Sequence, residues 1–79
     1  MNGHLVIVRC DVDDFPVLLT AHHQEAQAEV DRVLAAPTAA LRRLSLPDDA
    51  RVLGTNVIEF QNGRPVRSSF TAIDGEDCP

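Results

Sequence analysis

Tryptophan, tyrosine and lysine are absent from this chain, and its rings are limited to Phe15, Phe60 and Phe70. So few rings leave little to fill a core, and they offer no row of stacking platforms for single-stranded nucleic acid. The lack of lysine beside frequent arginine and alanine reads as gene base composition rather than chemistry. The four glycines are scattered, so there is no glycine-rich loop to cradle phosphate. No G-x-S-x-G elbow and no H-E-x-x-H pair occurs. The longest apolar run, near Leu5–Val8, is far too short to span a bilayer. The two cysteines, Cys10 and Cys78, lie at opposite ends of the chain. No leader-like segment opens it, so the expectation is a soluble, cytoplasmic protein with free thiols and no membrane contact.

What is present is 79 residues with a net charge of −5, enough for one small domain. A chain of this size buries only roughly 60% of the surface exposed by its unfolded form, and such chains often gain stability by oligomerising. The charge is uneven. Residues 1–41 carry two arginines against six acids, residues 42–67 five arginines against three acids, and the tail three acids. The acidic total disfavours non-specific binding to nucleic acid or anionic membranes, while residues 42–67 keep a local basic patch open.

The most legible stretch is Val52–Ile73. Asn62-Gly63 between two apolar runs is a strong hairpin signal. Two registers compete. A two-residue mirror-type turn pairs Gln61 with Arg64, whereas a type I turn with Gly63 as a bulge pairs Phe60 with Arg64. A one-residue slip exchanges the faces, so the apolar pattern decides. The bulged turn gathers Ile58, Phe60, Val66, Phe70 and Ala72 on one face, and is the register expected. It sets Gly54 opposite Phe70, leaving room for the ring, and makes Glu59 and Arg67 diagonal neighbours. The gathered face is expected to lie against a helix. The other face mixes Thr55, Glu59, Arg67, Ser69 and Thr71 with Leu53, Val57 and Ile73. It is less cleanly polar than a solvated face usually is.

Leu5–Val8, continuing to Cys10, is apolar and β-branched on both faces and predicts a central strand. Asp11–Asp14 breaks it, and Val17–Thr20 forms a second strand after the extended Phe15-Pro16. From His22 to Ala36 the period becomes helical, with Ala26, Val30, Val33 and Leu34 as the apolar stripe and Thr20 as candidate N-cap. Pro37 stops or kinks this helix, and Thr38–Leu44 is a candidate second short helix. The expected fold class is α+β. It is a four-stranded, mainly antiparallel sheet in ββαββ order with one amphipathic helix on one face. Residues 1–79 form one domain, with 74–79 a frayed tail.

Three functional classes fit. The first is a non-enzymatic binding or oligomerisation module, a homodimer joined by the mixed outer face or an edge strand, or a binder of another protein. Leu53, Val57, Arg64 and Arg67 are its candidate partner-binding residues, and no catalytic, cofactor or metal residue is assigned. The second is a metal-dependent protein or enzyme using His22, His23 and Glu25, which share the start of the helix. Catalytic zinc takes three protein ligands, and nothing in the spacing supplies a third beyond His4 or the Asp11-Asp13-Asp14 loop. That loop lacks the glycine and terminal glutamate of a calcium loop, so it reads as a solvated turn. The third is a weak binder of nucleic acid or an acidic partner through Arg42, Arg43, Arg51, Arg64 and Arg67. Cys10, within a strand, reads as a small buried hydrophobe rather than a nucleophile.

Overall fold

The structure is a computed structural model that describes residues 2–47 and 49–73. The expectations for the tail and for Cys78 fall outside the described residues. Strands β1 (Gly3–Cys10) and β2 (Asp14–Thr20) are followed by helices α1 (His23–Ala35) and α2 (Pro37–Arg43), then by β3 (Val52–Gln61) and β4 (Arg64–Ala72). The four strands make one antiparallel sheet in the order β2-β1-β3-β4. This is the expected α+β architecture, with β1 and β3 in the interior and β2 and β4 at the edges. No helix among the described residues is long and apolar enough to cross a membrane.

The helices form where the pattern places them, but their ends differ. The N-cap of α1 is His22, whose side chain makes no capping bond. Thr20 acts from two residues upstream instead. Its hydroxyl accepts from the His22 amide at 3.1 Å and donates to the carboxylate of Glu25, in the first helical turn. Pro37 does end α1, but only by opening α2, where its missing N–H costs nothing at the first helical position.

Helix α1 packs Ala26, Val30 and Val33 onto β1, β2 and β3. Beneath them Val6 and Val8 have no exposed surface, and Cys10 and Val52 are buried. Leu41 and Ala40 of α2 extend the same core toward Ala50. Its residues are small, so the helix and sheet backbones can approach closely. One charge is buried with them. Glu29, 6% exposed, receives Arg32 at 3.2 Å and Arg43 at 3.5 Å, which ties the two helices together.

The second hairpin does not take the expected bulged turn at Gly63 but opens with the competing mirror-type turn. Asn62 (φ 54°) and Gly63 (φ 77°) form a two-residue turn, and Gln61 pairs with Arg64. Both positive angles suit Asn-Gly, which is why the mirror-type turn forms. An irregularity then comes later. Phe60 pairs with Pro65 and Glu59 with Arg67, leaving Val66 as the extra residue of a bulge. Beyond it Ile58 faces Ser68, Asn56 faces Phe70 and Gly54 faces Ala72. Glu59 and Arg67 are therefore directly opposite rather than diagonal. Similar shifts leave Val17 unpaired between β2 and β1, and Leu53 between β3 and β1. Each edge strand thus carries a proline immediately before its bulge, Pro16-Val17 on β2 and Pro65-Val66 on β4.

The larger correction concerns faces. Ile58, Phe60, Phe70 and Ala72 do share one face, but it is the face without a helix. The β1–β3 pairing decides this. Val6 pairs with Val57, Val8 with Thr55 and Cys10 with Val52, all on the helix side. Leu5 pairs with Ile58 and Ile7 with Asn56 on the other. Val66 sits in its bulge, 53% exposed.

Candidate functional site

The helix-free face carries Leu5 and Ile7 from β1, Pro16 and Leu19 from β2, Ile58 and Phe60 from β3, and Phe70 from β4. Leu19 is 56% exposed and Phe70 52% exposed, while Leu5, Ile7, Ile58 and Phe60 are half-buried by one another. Alternation in β1 explains the pattern. The strand is apolar at successive positions, as in a strand covered on both sides, yet helices cover only one side. At one corner Asp14, Arg9 and Phe70 run across the sheet. The Arg9 Nε donates to the Asp14 carboxylate at 2.8 Å, and its guanidinium carbon lies 5.8 Å from the centre of the Phe70 ring. That ring lies over Gly54. A Cβ there would sit 2.7 Å from the ring and 2.3 Å from the carbonyl oxygen of Thr71. The space left for Phe70 is real, though it is reached diagonally.

The opposite face holds a second feature. Helix α1 covers β1, β2 and β3 but leaves β4 beyond its reach. The overhang leaves a cleft of about 150 Å³ between the first turns of α1 and the sheet. His23 and Gln27 line it from the helix, His4 from β1, Glu59 from β3, and Arg67, Ser69 and Thr71 from β4, over a floor of Ala26, Val30 and Val57. The His4 and His23 rings are 5.4 Å apart and tilted by 59°. His4 Nδ1 is buried and has no hydrogen-bond partner.

Of the four candidate partner-binding residues, Val57 and Arg67 meet in this cleft, while Leu53 and Arg64 lie outside it. Val57 is half-buried beneath α1 and floors the cleft, so the outer face to which the pattern assigned it is in fact the covered one. Arg67 lines the cleft wall, Arg64 flanks the hairpin turn, and Leu53 sits in a bulge, 40% exposed. The His22-His23-Glu25 cluster is also parted. Glu25 is bonded by Thr20, and His23 stands beside His4. Among the described residues no three His, Cys, Asp or Glu side chains are grouped to hold a metal ion. The arginines are dispersed as well. Arg43 is engaged by Glu29, while Arg51 and Arg64 flank opposite ends of β3, ten residues and about 30 Å long. The acidic loop closes on backbone. Asp11 accepts from the Arg51 amide at 3.0 Å, and Asp13 from the Asp14 amide at 2.8 Å.

Cys10 is a buried free thiol. Burial, then the nearby negative charges of Asp11 and Asp14, push its pKa up, which keeps it protonated and unreactive. The apolar helix-free face could have been found in the sequence from Leu5 and Ile7, had their partners on β3 been known. The hairpin pattern grouped Val57, Glu59, Arg67, Ser69 and Thr71 on one face, but no spacing links them to His4 on β1 or to His23 and Gln27 on α1.

Comparison with protein-family models, with curated proteins and with solved structures finds no match.

Proposed function

We propose that this protein is a non-enzymatic binding and oligomerisation module whose helix-free sheet face pairs with the same face of a second copy. One observation carries the reading. The residues patterned like a core, Ile58, Phe60 and Phe70 with Leu5, Ile7 and Leu19, are those the helices leave uncovered. Contiguous apolar surface of this kind marks an interaction site.

Charge favours a second copy as the occupant. The chain carries −5, so two copies repel across most of their surfaces. At the paired positions of this face the charged residues are Arg9 and Asp14, which neutralise each other. Extent sets the dimer among the weak ones. Four strands about 4.8 Å apart and about seven residues long span roughly 450 Å². Two copies then remove about 900 Å² together, below the roughly 1,200 Å² of a stable specific interface, which fits association only in the high micromolar range. The edge strands are poorer seams, since each is interrupted by a proline and a bulge.

Sedimentation at rising concentration tests this. The expected result is a dimer in the high micromolar range, converted to monomer by Leu19→Asp and by Ile58→Asp with circular dichroism unchanged. A wild-type monomer throughout that range overturns the proposal.

A further inference from the structure

The cleft beneath the β4 overhang lies on the opposite side of the sheet from the proposed dimer face, so its chemistry stands or falls separately. We propose that two histidines lining it, His4 of β1 and His23 of α1, together hold one borderline transition-metal ion of the zinc, nickel or copper class.

The spacing of the two rings carries the assignment. Zinc binds an imidazole nitrogen at about 2.0–2.1 Å, and the ring centre lies about 1.2 Å behind that nitrogen, so each centre stands about 3.2 Å from a bound ion. Two such rings about 109° apart on a tetrahedral ion have centres about 5.2 Å from each other. The centres of His4 and His23 are 5.4 Å apart. His23 is exposed on the first turn of α1, so its ring can turn about its own side-chain bonds to aim a nitrogen at the shared point.

The nitrogens are also unspent. His4 lines the cleft with its Nδ1 sealed beneath, so the nitrogen it presents there is Nε2. Among the described residues no hydrogen bond or ion pair engages either ring. Glu25, the acid nearest His23 in sequence, is bonded by Thr20 instead, which leaves His23 beside His4.

Imidazole sets the class of ion. It suits zinc, nickel and copper, whereas magnesium and calcium take oxygen ligands. Glu59 and Arg67 line the same cleft with opposite charges, so net charge there does not favour a hard cation. Among the described residues no third His, Cys, Asp or Glu is grouped with the pair, so water completes the coordination. The ion joins β1 to α1. It therefore binds the folded chain more tightly than the unfolded one and stabilises it by mass action.

Titration with Ni²⁺ tests this, followed by nuclear magnetic resonance of the histidine ring protons and by thermal melting. His22, next in the chain but outside the cleft lining, is the internal control. The expected result is paramagnetic broadening of the His4 and His23 signals together, saturating at one ion per chain, with a rise in melting temperature. Mg²⁺ at the same concentration should change neither. His4→Gln and His23→Gln should each weaken Ni²⁺ by about tenfold or more, while His22→Gln leaves it unchanged. His23 is exposed, so its substitution tests the site without touching the core. Three results overturn the proposal: no broadening of the pair, binding that survives His23→Gln, or equal weakening by His22→Gln, which would mean an adventitious ion on adjacent surface histidines.

Discussion

The two faces of the sheet are built from the same strands and are both apolar, yet they differ in what lies on them. The helix-covered face uses small, mostly β-branched residues, Val6, Val8, Val52 and Thr55, under Ala26, Val30 and Val33. The helix-free face uses larger ones, Leu5, Ile7, Ile58, Phe60 and Phe70. Small residues let a helix approach closely, and large ones cover one another when nothing else does. Apolar content alone therefore does not identify the core of a small domain. Size and the register of the central pair decide which side the helix takes.

Substitutions at adjacent positions of β1 break the comparison most sharply. Val8→Asp places an unpaired charge in the covered core, at a cost of about 4 kcal/mol or more. That is a large share of the roughly 4–12 kcal/mol available to a chain of this size. The expected outcome in thermal melts is an unfolded protein. Ile7→Asp, one residue away on the helix-free face, should stay folded. Equal loss of structure in both would mean that the two faces are not distinct.

A smaller effect is expected where the helix-free face is most tightly fitted. Gly54→Ala drives a Cβ against the Thr71 carbonyl and the Phe70 ring, so β4 must shift. The expected loss is about 2 kcal/mol, or a fall of roughly 8–16 °C in melting temperature. An unchanged melting temperature would show that the Phe70 ring is free to leave.

The smallest effect tests the covered side. Glu29→Gln removes the anion shared by Arg32 and Arg43. Glu29 is buried, but both arginines are about half exposed or more, so the cost is held to about 1 kcal/mol. The difference between variant and wild type should shrink in high salt, as measured by urea unfolding at two ionic strengths.

Much of the fold was legible in the sequence. Asn62-Gly63 marks the turn, the Ala26–Leu34 stripe marks the helix, and Leu5–Val8 marks an interior strand, because each signal is local. The faces were not legible. Whether Phe70 points toward α1 depends on Val6 meeting Val57, a pairing across 51 positions that no local pattern encodes. The bulges at Val17, Leu53 and Val66 were equally hidden, since each residue looks like an ordinary member of its strand. The hairpin pattern already set Glu59 beside Arg67, but their meeting with His4 and His23 depends on the strand order and on where α1 lies. Sequence reasoning placed Arg67 on an outer surface and His23 in a cluster with Glu25, and so missed their meeting.

The prolines and bulges on β2 and β4 have a consequence for how copies of this protein can accumulate. An open ladder of amides and carbonyls is a template for endless lateral growth. Here each outermost strand has a missing donor followed at once by a kink, so an incoming strand finds no unbroken seam. Filament growth should stall at both flanks.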